Sequence, residues 1–145
     1  MRTIIRKWIL LISLVVLLPV WADEPKAIDM TKALLDEHGK PARDFAEATK
    51  DDPQCESCPV LTIGVAIARA LNMINLNDRE DVALTGDQKW AMSELAARIR
   101  NAKEARLTVK EAEVIERRIG KAYTGPTIRQ LMPVIDPNKK VPALE

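Results

Sequence analysis

Three stretches of the chain after residue 60 repeat apolar side chains at helical spacing, and a leucine-threonine pair precedes each of them. The pairs recur 23 residues apart, as Leu61-Thr62, Leu84-Thr85 and Leu107-Thr108. Threonine before an apolar periodic segment is a helix N-cap, and Thr85 and Thr108 are each followed three residues later by the glutamine or glutamate of a capping box. The pattern predicts helices over residues 62–74, 86–101 and 109–123, with a shorter fourth helix over 126–135.

The first predicted helix is apolar nearly all round, interrupted by Arg69 and Asn72, which is typical of a central buried helix. The second and third helices each have one apolar face, which comprises Ala91, Leu95, Ile99 and Ala102 in the second and Ala112, Ile115, Ile119 and Ala122 in the third. The fold is therefore predicted to be mainly all-α, a small bundle of three to four helices within a domain of residues 59–136. A flexible tail is predicted at 137–145.

Residues 23–58 contrast with this domain because they are acidic and broken by prolines. Within them, residues 36–41 have the composition of a reversing turn, since Gly39 tolerates positive φ and Pro41 restricts the residue before it. The segment is predicted to be a loosely structured turn or hairpin.

The first 22 residues have the order of a secretory signal peptide. Arg2, Arg6 and Lys7 precede an apolar run, and Ala22 provides a small residue for cleavage before an acidic pair. The apolar run of about 14 residues is shorter than the roughly 20 that span a bilayer as a helix. Residues 1–22 are thus predicted to be a cleaved signal peptide, with an uncleaved membrane anchor as the alternative.

Met30 is a second candidate translation start, downstream of this leader. A chain that starts at Met1 is expected in the periplasm or outside the cell, whereas a chain that starts at Met30 is expected in the cytoplasm. Membrane contact is predicted only through residues 1–22.

Composition fits one small domain. A hydrophobic content of 47% argues against a disordered chain, and the scarcity of aromatic residues leaves the core to aliphatic side chains. The net charge of +1 excludes a globally basic protein, yet basic residues concentrate around the junction of the second and third helices: Arg98, Arg100, Lys103, Arg106, Arg117, Arg118 and Lys121. This series is a candidate partner-binding surface, although the interspersed glutamates also fit a solvated helix face.

Cys55 and Cys58 are spaced as C-x-x-C and are the two cysteines of the chain. In an exported protein a disulfide between them is expected, and it would rigidify the turn before the first helix. A redox dithiol is an alternative, but Pro59 separates the motif from that helix. Zinc is a weaker alternative, because a tetrahedral site needs four ligands and the single His38 is the nearest other soft ligand.

Other chemistry is not recognised. His38 lies in the predicted turn, the serines lack the context of a nucleophile, and the five glycines form no phosphate-binding loop. The sequence therefore predicts no catalytic residue and no cofactor, and it favours a non-enzymatic protein that acts through a protein partner.

Three motifs in order resemble a group of small bacteriophage and prophage proteins over residues 30–136. They are D-x-x-G-K-P at residues 36–41, L-T-I-G at 61–64 and I-G-K-A-Y at 119–123. The resemblance implies a compact helical accessory protein carried in phage genomes, with no catalytic residues to transfer.

Three functions remain as hypotheses. The first is a phage or prophage interaction protein in assembly or host modification. The second is an exported bacterial protein with a structural or redox-active disulfide. The third, which is least favoured, is a nucleic-acid binder that uses the basic helix junction.

Overall fold

The computed structural model describes residues 25–44 and 57–138. These residues form five helices and a two-stranded antiparallel sheet, which confirms the predicted mainly α fold with an N-terminal hairpin. The elements in chain order are β1 (Ile28–Asp29), α1 (Ile63–Asn72), α2 (Arg79–Val82), α3 (Gly86–Asn101), β2 (Glu104–Ala105), α4 (Val109–Ala122) and α5 (Gly125–Ile135).

The threonine caps predicted from the sequence begin three of these helices. The Thr62 hydroxyl accepts a hydrogen bond from the backbone N–H of Val65 at the start of α1. Thr85 and Thr108 each form a complete capping box, in which the side chain of the third helical residue accepts a hydrogen bond from the threonine N–H. Each box satisfies two backbone amides that the helix itself leaves without partners.

Helix α1 is the centre of the bundle, as its nearly continuous apolar sequence predicted. Ala66 and Ile67 have no exposed surface, and Leu71 has almost none. Helices α3 and α4 both pack against α1 and barely touch each other, while α5 packs against α4. At the end of α4, the Tyr123 hydroxyl donates to the Ala66 carbonyl at 3.0 Å and ties the two helices together.

The buried face of α3 differs from the one that the sequence predicted. Met92, Ala96 and Ile99 are buried, whereas Ala91 is exposed and Leu95 is half-buried. Alanine contributes little burial energy and occurs on several sides of this helix, so its positions do not fix the rotation of the helix about its axis. The four core residues predicted for α4 are all at least half-buried.

The N-terminal hairpin is attached to the start of α1 by backbone hydrogen bonds. Leu34 N–H donates to the Leu61 carbonyl at 2.9 Å, and Leu61 N–H donates to the Ala42 carbonyl at 2.8 Å. At the tip, Gly39 has a φ of +76°, and the Asp36 carboxylate accepts from the Lys40 N–H at 2.8 Å. The tip is exposed, as a loosely structured turn predicts, but Leu34 in the first arm belongs to the core.

Met30 is the deepest anchor of this hairpin, with 1% of its surface exposed. Its N–H donates to the Lys103 carbonyl at 2.8 Å, next to the β1–β2 pairing, and its carbonyl accepts from the Gly64 N–H at 2.9 Å. A Cβ at position 64 would lie 3.1 Å from Met30 and 3.2 Å from the Ile99 carbonyl, so a larger residue would force these neighbours to shift by a few tenths of an ångström.

Three predictions concern parts of the chain outside the described residues. They are the signal peptide or anchor at 1–22, the Cys55 half of the cysteine motif, and most of the tail at 137–145. Within the two described ranges, none of the helices has the length and apolar character needed to cross a membrane.

Candidate functional site

A groove lies on the surface between α3 and α4, which both pack against α1. Its volume is about 690 Å³, and residues of α2 also line it. The apolar residues of its lining are Ala83, Leu84, Ala91, Met92, Leu95 and Val114. Leu84, Leu95 and Val114 are only half-buried, so the groove offers accessible aliphatic surface to a ligand.

A buried ion pair in the lining of the groove joins α2 to α4. Arg118 and Asp81 are 4% and 2% exposed, and the Arg118 guanidinium donates to the Asp81 carboxylate. Arg118 also donates to the Ala70 carbonyl at 3.3 Å, while Asp81 accepts from the Asn75 N–H at 2.8 Å. Arg118, followed by the Asn75 N–H, lowers the pKa of Asp81 to about 2.

Lys121 lies one helical turn after Arg118 on α4 and also binds the carboxylates of α2 and its N-cap. Its ammonium is 2.8 Å from the Asp78 carboxylate, 2.9 Å from Glu80 and 3.3 Å from Asp81. The hydrogen bond that the Lys121 ammonium donates to Asp78, with those that it donates to Glu80 and Asp81, raises the pKa of Lys121 above its ordinary value. Helix α2 has only four residues, so these side chains, more than its own backbone, fix its position.

Charges around the groove fall into paired and unpaired groups. Glu80 and Asp81 are paired with Lys121 and Arg118, and Glu111 is paired with Arg98 across the far end at 2.6 Å. Two further charged residues of the lining, Lys110 and Arg117, are exposed and form no ion pair with any residue of the described ranges. The charge that remains available to a ligand is therefore positive.

The predicted basic surface is divided by the structure. Arg118 is buried and does not belong to a surface, because its charge is needed to neutralise Asp81. Lys121 and Arg98 lie near the groove but are already paired with carboxylates. Arg100, Lys103, Arg106 and Arg117 are exposed, and of these Arg117 lines the groove.

Sequence reasoning did not find the groove. Ala91 and Leu95, which line the groove, were both predicted to lie on the apolar face of the second helix. The acidic run that begins at Asp78 was the available sign, since an N-cap followed by two acidic residues is typical of a helix start. Its pairing with α4 depends on the path of the chain, which periodicity does not give.

Cys58 is buried at the base of the hairpin, where its carbonyl accepts from the Arg43 guanidinium at 3.0 Å. Because Cys55 lies outside the described residues, the disulfide stays a prediction. His38 is exposed at the hairpin tip, 3.5 Å from Glu37. Among the described residues, no three side chains of the His, Cys, Asp and Glu types are grouped as a metal site would need.

Comparison of the chain with models of known protein families, with curated proteins and with solved structures finds no match.

Proposed function

We propose that this protein is a non-enzymatic accessory protein of phage or prophage origin, and that it binds a protein partner through the groove between α3 and α4. The observation that supports the proposal is the combination of accessible aliphatic side chains with unpaired cationic side chains along one groove. An interface needs both, since apolar contacts supply binding energy and charged groups at the rim orient the partner.

The form of the groove favours a macromolecule over a small molecule. A small-molecule site encloses most of its ligand. Here Gln88 and Ala91 on α3 and Lys110 and Arg117 on α4 are all exposed, so both walls are open to solvent along their length. An open channel between two helices suits an elongated polypeptide segment.

The resemblance to phage proteins gives the biological setting of this proposal, as an adaptor in assembly or host modification. The alternative of a nucleic-acid binder is disfavoured, because Arg98, Arg118 and Lys121 are neutralised by neighbouring carboxylates. The alternative of an exported protein with a Cys55–Cys58 disulfide concerns the compartment and the redox state, and it is compatible with binding through the groove.

Site-specific photo-crosslinking tests the proposal. A photoreactive amino acid is placed at Ala91, which lines the groove, and in a matched variant at Ser93, which is exposed on the same helix outside the groove. In cells that naturally express the protein, we expect a discrete cross-linked product from position 91 and none from position 93.

Competition with purified protein then shows whether the cross-linked product forms by binding of the partner in the groove. Excess purified Ser93→Arg protein should suppress the cross-link as well as the wild type does, whereas Ala91→Arg should not, because an arginine at 91 would occupy the channel. Equal cross-linking from both positions, or suppression by Ala91→Arg, would contradict binding through the groove. Far-ultraviolet circular dichroism of both arginine variants controls for folding.

A further inference from the structure

We infer that the segment bound in the groove is an amphipathic helix of a partner protein that has acidic residues beside its apolar stripe. This inference rests on the proposed function and specifies the chemistry of the partner. It follows from the arrangement of charged and apolar residues on α4 and from the state of each charge around the groove.

Three of the six residues of α4 that line the groove form a stripe in which two cations flank an aliphatic residue. Lys110, Val114 and Arg117 follow one another at spacings of four and three residues, so they lie on the same side of the helix. The two cationic side chains are two turns apart, a rise of about 10.5 Å along the axis. The aliphatic Val114 lies between them.

The opposite wall, on α3, is apolar or uncharged where it lines the groove. Ala91 and Leu95 repeat at a spacing of four residues, and Gln88 is neutral. A ligand in the groove therefore contacts aliphatic side chains on the α3 side and cations on the α4 side. This is a two-sided pattern, which an amphipathic helix matches.

Charge complementarity determines whether the charged side chains of that helix are acidic or basic. Every acidic residue of the lining is already paired with a cation of this chain, whereas Lys110 and Arg117 have no carboxylate partner in the described ranges. A helix lying along α4 would satisfy both cations with glutamate or aspartate residues seven positions apart. A basic helix would bring like charges together at the same two points.

Helical peptides of defined charge test the inference on the full-length protein. Three fluorescein-labelled peptides of about 16 residues share one leucine and alanine stripe. They differ only at two positions seven residues apart, which carry glutamate, glutamine or lysine. Binding is measured by fluorescence anisotropy.

We expect the glutamate peptide to bind about three- to tenfold more tightly than the glutamine peptide, and the lysine peptide to bind most weakly, since each exposed ion pair contributes modestly. Raising the salt from about 0.05 M to about 0.5 M should reduce this difference, because the pairs are screened. The double variant Lys110→Glu with Arg117→Glu should reverse the order of the peptides.

The matched control is Arg100→Glu with Lys103→Glu, which makes the same change in net charge at exposed positions outside the groove. It should keep the wild-type order. Equal affinity for the three peptides, preference for the lysine peptide, or no binding would overturn the inference. A control variant that also reverses the order would do the same, because long-range charge would then explain the preference.

The cross-linking experiment separates this inference from the function on which it rests. If position 91 cross-links a partner under groove competition but the peptides show no preference for acidic residues, the groove binds a protein of other chemistry and only the inference fails. If cross-linking also fails, the proposed function fails with it. Loss of dimer formation in Ala91→Arg, measured by sedimentation, would instead identify a second copy as the occupant and overturn the inference.

Discussion

Replacing Arg118 with methionine should destabilise the protein strongly, although the side chain lies beside a surface groove. Arg118→Met keeps the aliphatic stem and removes the donor to the Asp81 carboxylate and to the Ala70 carbonyl. Asp81 would stay buried, with the Asn75 N–H and the Lys121 ammonium at 3.3 Å as its remaining partners. Removing one partner of a buried ion pair costs about 3–5 kcal/mol, and we expect the lower end, about 3 kcal/mol, because Lys121 still compensates part of the charge.

Urea unfolding followed by circular dichroism measures this cost. The control is Arg117→Met, the same chemical change at the adjacent, exposed residue, which should alter the free energy of unfolding by less than about 0.5 kcal/mol. With a denaturant slope of about 1–3 kcal/mol per M, Arg118→Met should lower the urea midpoint by about 1–3 M. Similar midpoints for the two variants would refute the assignment of Arg118 to a buried ion pair.

A double-mutant cycle with Asp81→Leu isolates the interaction itself. Once Asp81 is leucine, the arginine has no buried charge to neutralise, so Arg118→Met should cost less in that background than in the wild type. We expect a coupling energy of at least about 1 kcal/mol. Additive effects would show that the two side chains do not interact.

Two further predictions concern the core and the pH dependence of stability. Gly64→Ala should lower the free energy of unfolding by about 1–3 kcal/mol in urea titrations, because its methyl group would meet the Met30 and Ile99 backbone. By contrast, Gly120→Ala should raise the free energy of unfolding by about 1 kcal/mol, since a Cβ at position 120 meets no neighbouring atom within 4 Å and alanine has a higher helix propensity than glycine. Equal effects of the two substitutions would contradict the close packing around Gly64. The pKa of Asp81 is about 2 in the folded protein against an ordinary value of 3.8, so its stabilisation is complete above about pH 4 and is lost as the pH falls through 2. As the pH falls below about 4, the wild-type protein should lose about 2 kcal/mol more free energy of unfolding than Asp81→Asn, because the asparagine has no proton to gain. Identical pH profiles of stability for the two proteins would refute the lowered pKa of Asp81.

The four longer helices were predictable from the sequence because the causes of their starting points are local, whereas the short α2 was not predicted. Thr62, Thr85 and Thr108 each satisfy amides within the next three residues, so the spacing of a few side chains determines where the helix begins. The central position of α1 was predictable for a related reason, since a helix that is apolar on every side has to be surrounded.

The rotation of α3 and the candidate groove were not predictable, because their causes lie between segments. Alanine at positions 91 and 96 gives the same signal in the sequence, yet one residue faces the groove and the other faces the core. Arg118 and Asp81 are 37 positions apart, and nothing in the local sequence pairs these two charged side chains. Only the path of the chain brings them together. The function and the compartment stay predictions.

The attachment of the N-terminal hairpin has a consequence for the time at which the protein can fold during synthesis. The Gln130 side chain, 95 positions later, accepts from the Leu35 N–H and donates to the Leu35 carbonyl. The Met30 N–H donates to the carbonyl of Lys103, just before β2. At about 5–20 residues per second, the ribosome adds Gln130 roughly 5 to 20 seconds after Leu35. The Met30 N–H lacks its acceptor until Lys103 is added, and Leu35 lacks its partner until Gln130 is added, so a factor at the ribosome exit meets this hairpin before its attachment to the bundle is complete.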